Sequence, residues 1–187
     1  MQEKENVLRI LQETKNAIKQ NDAIKLKVLS NQTIHTASIT QDSDNVLVAV
    51  IVYSLSKMIE RQEYQKFSGW EDFYKKIMSA IENTIIAIKK NDDAKIHENM
   101  SLIRDVINKV SGKLKSYIQD VFRKAEINKA SKIYEHGISM EKTANLLGIS
   151  IFELAIYAGQ KQDISNAPLG YTIEVKKRIK TMEDMFK

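Results

Sequence analysis

The chain has 187 residues with 43% hydrophobic content, so it has material for one core, or for one domain with a small appendage. Cysteine is absent, which excludes disulfides, thiolate metal centres and cysteine nucleophiles, and three scattered histidines argue against a histidine-rich metal site. A net charge of +5 permits contact with nucleic acid without requiring it.

Six glycines and one proline are too few for the regularly spaced turns of a β fold, and the chain reads as all-α. The longest uncharged apolar stretch, residues 46–56, is shorter than a membrane span, and the charged opening MQEKENVLRI has no signal-peptide apolar region. The expectation is a cytoplasmic protein without membrane contact.

Val7, Leu8, Leu11, Ala17 and Ile18 fall on one face of a first helix, which Asn21 and Asp22 break. A second helix runs from Ala23 through Leu26 and Leu29 towards Ile34. The polar run Thr40 to Asn45 connects it to the next, with Asp42 or Ser43 as the cap. The β-branched residues 46–52 could form a strand, but the apolar pattern continues into Leu55, Met58 and Ile59 without a turn signal. A buried helix is the better fit. After Gly69, Trp70 to Lys90 is a further amphipathic helix. Asn91-Asp92-Asp93 opens another to Val110, and a basic helix follows from about Lys113.

Residues 17–23 read AIKQNDA and residues 87–94 read AIKKNDDA, 70 positions apart. Either the chain holds two related helical hairpins, or these are two ordinary helix-ending turns in a sequence rich in Lys, Asn, Asp, Ile and Ala. Paired hairpins would build an antiparallel bundle.

One segment carries a signature. In ASKIYEHGISMEKTANLLGISIFELAIYAG, residues 130–159, Gly137 ends one helix and Ser139 caps a short one. Ala144 permits a close crossing, Gly148 supplies the turn, Ser150 caps a second helix, and Leu154 and Tyr157 pack back on Leu147 and Ile133. Ala144, Gly148 and Leu154 have the spacing of a helix-turn-helix. The segment resembles the helix-turn-helix region of small prokaryotic antitoxin-like proteins that accompany PIN-domain toxins. It shares Ile133, Tyr134, Gly137, Ile138, Ser139, Lys142, Ala144, Leu147, Gly148, Ser150 and the Phe-Glu-Leu of 152–154, with Thr143 where alanine is usual. It is similar also to uncharacterised archaeal proteins that join such a segment to an N-terminal helical region. The resemblance implies a regulatory or toxin–antitoxin setting and is silent on residues 1–125.

The outward positions of the second helix are Ser150, Ile151, Phe152, Ala155, Ile156 and Gly159. None is an Arg, Lys, Asn or Gln that could read base edges, and Glu153 would approach phosphates unfavourably. Ile151, Phe152 and Ile156 together look like an interface. The candidate phosphate contacts are Lys129, Lys132 and Lys142, with Arg123 and Lys124 nearby, and Lys176, Lys177, Arg178 and Lys180 near the C-terminus. The same cations also fit the solvated face of ordinary amphipathic helices.

No phosphate-binding, dinucleotide or zinc-protease motif is present, and no histidine has the Arg-x4–6-His spacing of a helical HEPN-type ribonuclease. His97-Glu98 lacks a second ligand or nucleophile, His35 reads as a turn or cap residue, and Trp70 and Tyr74 read as a core pair. No catalytic, cofactor or metal residue is assigned.

The organisation expected is a bundle over 1–112, a connecting helix 113–136, a helix-turn-helix 137–159, a linker 160–171 and a terminal helix 172–187. The function expected is that of a non-enzymatic regulator. It would act as a dimeric DNA-associated transcriptional or antitoxin-type factor, or as a protein-interaction adaptor that uses the apolar second helix. An RNA- or ribosome-associated factor is a weaker third. The partners implied are a second copy, DNA, or a protein such as a toxin.

Overall fold

A computed structural model of the chain describes residues 1–164, with the backbone alone for residues 63, 64 and 159–164. The described residues are all-α: eight helices, one short 3-10 turn and no strand. They are α1 (Lys4–Lys19), α2 (Ala23–Thr40), α3 (Ser43–Arg61), the 3-10 turn Glu63–Lys66, α4 (Trp70–Lys89), α5 (Asp93–Lys109), α6 (Gly112–Glu135), α7 (Met140–Leu147) and α8 (Ile151–Ile164).

Both Asn-Asp turns fold the same way. Asn21 and Asn91 each take φ +53°, a left-handed conformation that asparagine tolerates better than most residues. The amide of Asp22 then bonds back to the Ala17 carbonyl at 2.9 Å, and that of Asp92 to Ala87 at 3.0 Å. Each aspartate caps the next helix, Asp22 accepting from the Lys25 amide at 2.8 Å and Asp92 from the Lys95 amide at 3.1 Å.

The correspondence extends far beyond the turns. At the same 70-residue offset, Val7 and Ile77, Leu11 and Ile81, Thr14 and Thr84, Ala17 and Ala87, and Ile18 and Ile88 are buried in α1 and α4. Leu26 matches Ile96, and Thr33 matches Ile103, in α2 and α5. Val48 and Ile118, Val52 and Phe122, and Leu55 and Ala125 are buried in α3 and α6. The described bundle thus reads as two three-helix units, α1–α3 and α4–α6, that correspond in part: buried Ile34, Val46, Ala49 and Val50 stand where Arg104, Ser116, Gln119 and Asp120 are exposed. The units pack through α3 on α6 and α1 on α4. The helix expected merely to connect, 113–136, is part of the bundle and packs chiefly on α3, with Leu114, Ile118 and Phe122 in the main core.

Residues 46–52 are helical, and Val46, Val48, Ala49, Val50, Ile51 and Val52 are all buried, as befits a helix at the middle of a bundle. Trp70 and Tyr74 pack on the same core with ring centroids 5.7 Å apart. His35 is neither a turn nor a cap residue: it lies within α2. No described helix is long and apolar enough to cross a membrane.

Candidate functional site

α6, α7 and α8 form a corner with its own small core of Ala130, Ala144, Ile149 and Leu154, all nearly inaccessible. Each turn has a local cause. Gly137, at φ +87°, ends α6, and the Ser139 hydroxyl accepts from the Lys142 amide to start α7. Gly148, at φ +66°, ends α7, and the Ile149 amide bonds to the Ala144 carbonyl at 3.1 Å, so Ile149 folds back onto Ala144. Leu147 touches this core and both neighbouring clusters. Thr143, where the resembling family carries alanine, is fully buried and its hydroxyl has no protein partner.

α8 begins with a complete capping box at Ser150 and Glu153. The Ser150 hydroxyl accepts from the Glu153 amide at 3.2 Å, and the Glu153 carboxylate accepts from the Ser150 amide at 3.1 Å. Arg123 of α6 holds the same carboxylate, its Nε at 3.0 Å from Oε1 and its Nη2 on Oε2. These bonds, from the Ser150 hydroxyl first and from Arg123 second, pull the Glu153 carboxyl down to about 2. The pairing that positions Glu153 is legible in sequence as S-x-x-E, yet that role was missed. Glu153 faces Arg123, not phosphates.

Two expectations about packing change. Leu154 enters the corner core, but Ile133 belongs to a separate cluster with Ile34, Ala37, Val46 and Ala49, where α6 closes on α2 and α3. Tyr157 turns towards α6, and its hydroxyl accepts from Asn128 Nδ2 at 3.1 Å.

The candidate phosphate contacts separate. Lys129 is overturned: it is fully buried, its Nζ donates to Asn31 Oδ1 at 3.0 Å and lies 4.2 Å from the Tyr53 ring centroid. With no accessible surface it is out of reach of a phosphate. Arg123 is engaged by Glu153 and Glu126, and Lys124 pairs with Asp120. Lys132 is half-buried and Lys142 is exposed. Lys176, Lys177, Arg178 and Lys180, with the expected terminal helix 172–187, lie outside the described residues. The expected linker from residue 160 is helical at its start, because α8 runs to Ile164.

The apolar face is where the sequence places it. Phe152 is 80% exposed, Ile156 61% and Ile151 45%, with Ala155 also outward. Elsewhere, His35 Nδ1 lies 3.0 Å from His136 Nε2, and His136 Nδ1 lies 2.7 Å from the Lys132 carbonyl, tying α2 to the end of α6. His97 Nδ1 reaches Asp44 at 3.2 Å. Among the described residues no three His, Cys, Asp or Glu side chains cluster as a metal ion would need.

The chain matches no protein-family model, no curated protein and no solved structure. The comparisons give no support to the antitoxin-like resemblance expected for residues 130–159, and function is argued from the corner's geometry.

Proposed function

We propose that the chain is a non-enzymatic regulator that works by assembly. Its helix-turn-helix corner acts as a contact module, and α8 pairs with α8 of a second copy. The observation that carries this reading is the exposed row of Ile151, Phe152 and Ile156 on a helix whose one described acid, Glu153, is turned inward by Arg123.

Over residues 151–158 the exposed face is uncharged and offers no charge code for a foreign partner, and a two-fold pairing lets Phe152 and Ile156, four residues apart, meet their own copies. Ala155 between them lets the backbones approach. Covering these side chains in both copies is worth on the order of 7 kcal/mol before association costs, which cancel much of it. The dimer is accordingly weak and concentration-dependent. By sedimentation, the mass of the wild type should rise with concentration while Phe152→Asp stays monomeric with unchanged helical content. Equal masses for the two proteins at every concentration would refute the reading.

The DNA-associated reading comes second. It is favoured by exposed Lys142 beside the first turn of α7, which has no ion-pair partner among the described residues. It predicts duplex binding that falls steeply with salt and no preference for sequence.

A further inference from the structure

A cavity of about 340 Å³ lies between α3, α6 and α8, where the bundle meets the corner. Its charged side chains are all cations: Lys57 and Arg61, one turn apart on α3, and Lys124 on α6. Lys57 is bonded to Glu60, and Lys124 to Asp120, each at 2.8 Å along its own helix. Such exposed pairs are weak, and an ammonium keeps further N–H donors for a ligand. Arg61 makes no ion pair among the described residues.

The remaining lining suits a flat ring. Tyr53 and Tyr157 enter from different helices, with Ile127 as an apolar wall. Asn128 holds the Tyr157 hydroxyl through Nδ2, while its Oδ1 has no hydrogen-bond partner. Lys57 Nζ lies 5.6 Å from the Tyr53 ring centroid, so cation and ring meet on α3, and with Tyr157 entering from α8 the lining offers both charge for a phosphate and aromatic surface for a planar ring. The volume lies at the small end of ligand cavities, which fits one such unit and not a polymer.

From this we infer that the cavity binds a free mononucleotide, the phosphate held by Arg61, Lys57 and Lys124 and the base lying against Tyr157. The inference is independent of assembly through α8, since Phe152 and Ile156 take no part in the lining.

Equilibrium dialysis of the full chain against the four ribonucleoside 5′-monophosphates, their nucleosides and inorganic phosphate tests it. At least one monophosphate should bind saturably at one site per chain, with its nucleoside and inorganic phosphate each at least about tenfold weaker. Arg61→Ala should weaken that nucleotide by about tenfold, the loss expected for a charge-assisted contact. Lys19→Ala, an exposed cation on α1, should leave binding unchanged, and so should Phe152→Asp. The proposal is overturned by no saturable binding of any monophosphate, by inorganic phosphate binding as tightly as the nucleotide, or by unchanged affinity in a folded Arg61→Ala protein.

Discussion

The bundle and the corner solve the same packing problem with different means. In α1–α6 much of the pattern of burial is used twice, 70 residues apart, though buried Ile34, Val46, Ala49 and Val50 have exposed counterparts in Arg104, Ser116, Gln119 and Asp120. The corner occurs once. Its core is four side chains, and the outer row of α8 stays uncovered. A duplicated interior makes the bundle the stable scaffold, whereas the corner, with little core of its own, holds its shape through Gly148, the Ser150–Glu153 box and Arg123. Most apolar surface in the first region is spent on folding. Single apolar side chains such as Ile24 and Ile39 stay exposed there too, but in the second region three large ones lie within six residues of one helix and remain for association.

The largest effects should come from testing whether the two regions unfold together. Leu26→Ala and Ile96→Ala, equivalent positions in the two units and both fully buried, should each cost about 3 kcal/mol in denaturant unfolding. Faster amide exchange should then spread through α1–α6. Leu154→Ala removes similar volume from the corner, yet its faster exchange should be confined to residues 140–158. Exchange that spreads evenly over the chain in all three proteins would erase the distinction.

Lys129 comes next. Replacement by alanine leaves Asn31 and Tyr53 without their partner and opens a cavity, costing about 3 kcal/mol by thermal or chemical unfolding. Methionine fills the same space without a buried charge, and Lys129→Met should recover most of the loss. A phosphate-binding lysine would show the opposite pattern, with stability untouched by either substitution.

Much of the architecture is legible in the chain itself. The Asn-Asp pairs mark both hairpin turns because asparagine accepts the left-handed backbone and aspartate caps the next helix. The outward register of Ile151, Phe152 and Ile156 follows from helical spacing alone. The full extent of the correspondence is not legible, because some equivalent positions keep burial while changing identity, as Leu29 answers to Asn99 and Ser30 to Met100, and others lose burial, as Ile34 answers to Arg104. Lys129 misleads for a related reason. In a basic run it reads as a surface cation, and its partners Asn31 and Tyr53 arrive from helices distant in sequence. The cavity is hidden likewise, since three helices each supply part of its wall.

A smaller effect distinguishes how the corner is fastened. The Glu153 carboxyl, held at about 2, lies below its unfolded value. Its contribution is therefore complete above roughly pH 4.5 and is lost as pH falls towards 2. Acid should loosen the start of α8 before it loosens Leu26 or Ile96. In Glu153→Gln, exchange at residues 150–154 should be faster at neutral pH and less sensitive to acid than in the wild type.

The central claim, that α8 meets its own copy, is tested most directly by a single thiol in a chain that has none. Under mild oxidation Ala155→Cys should form a disulfide-linked dimer far faster than Ser116→Cys, an exposed position on α6 away from the corner. Adding Phe152→Asp to Ala155→Cys should abolish that advantage. Equal, slow cross-linking at both positions would contradict the account.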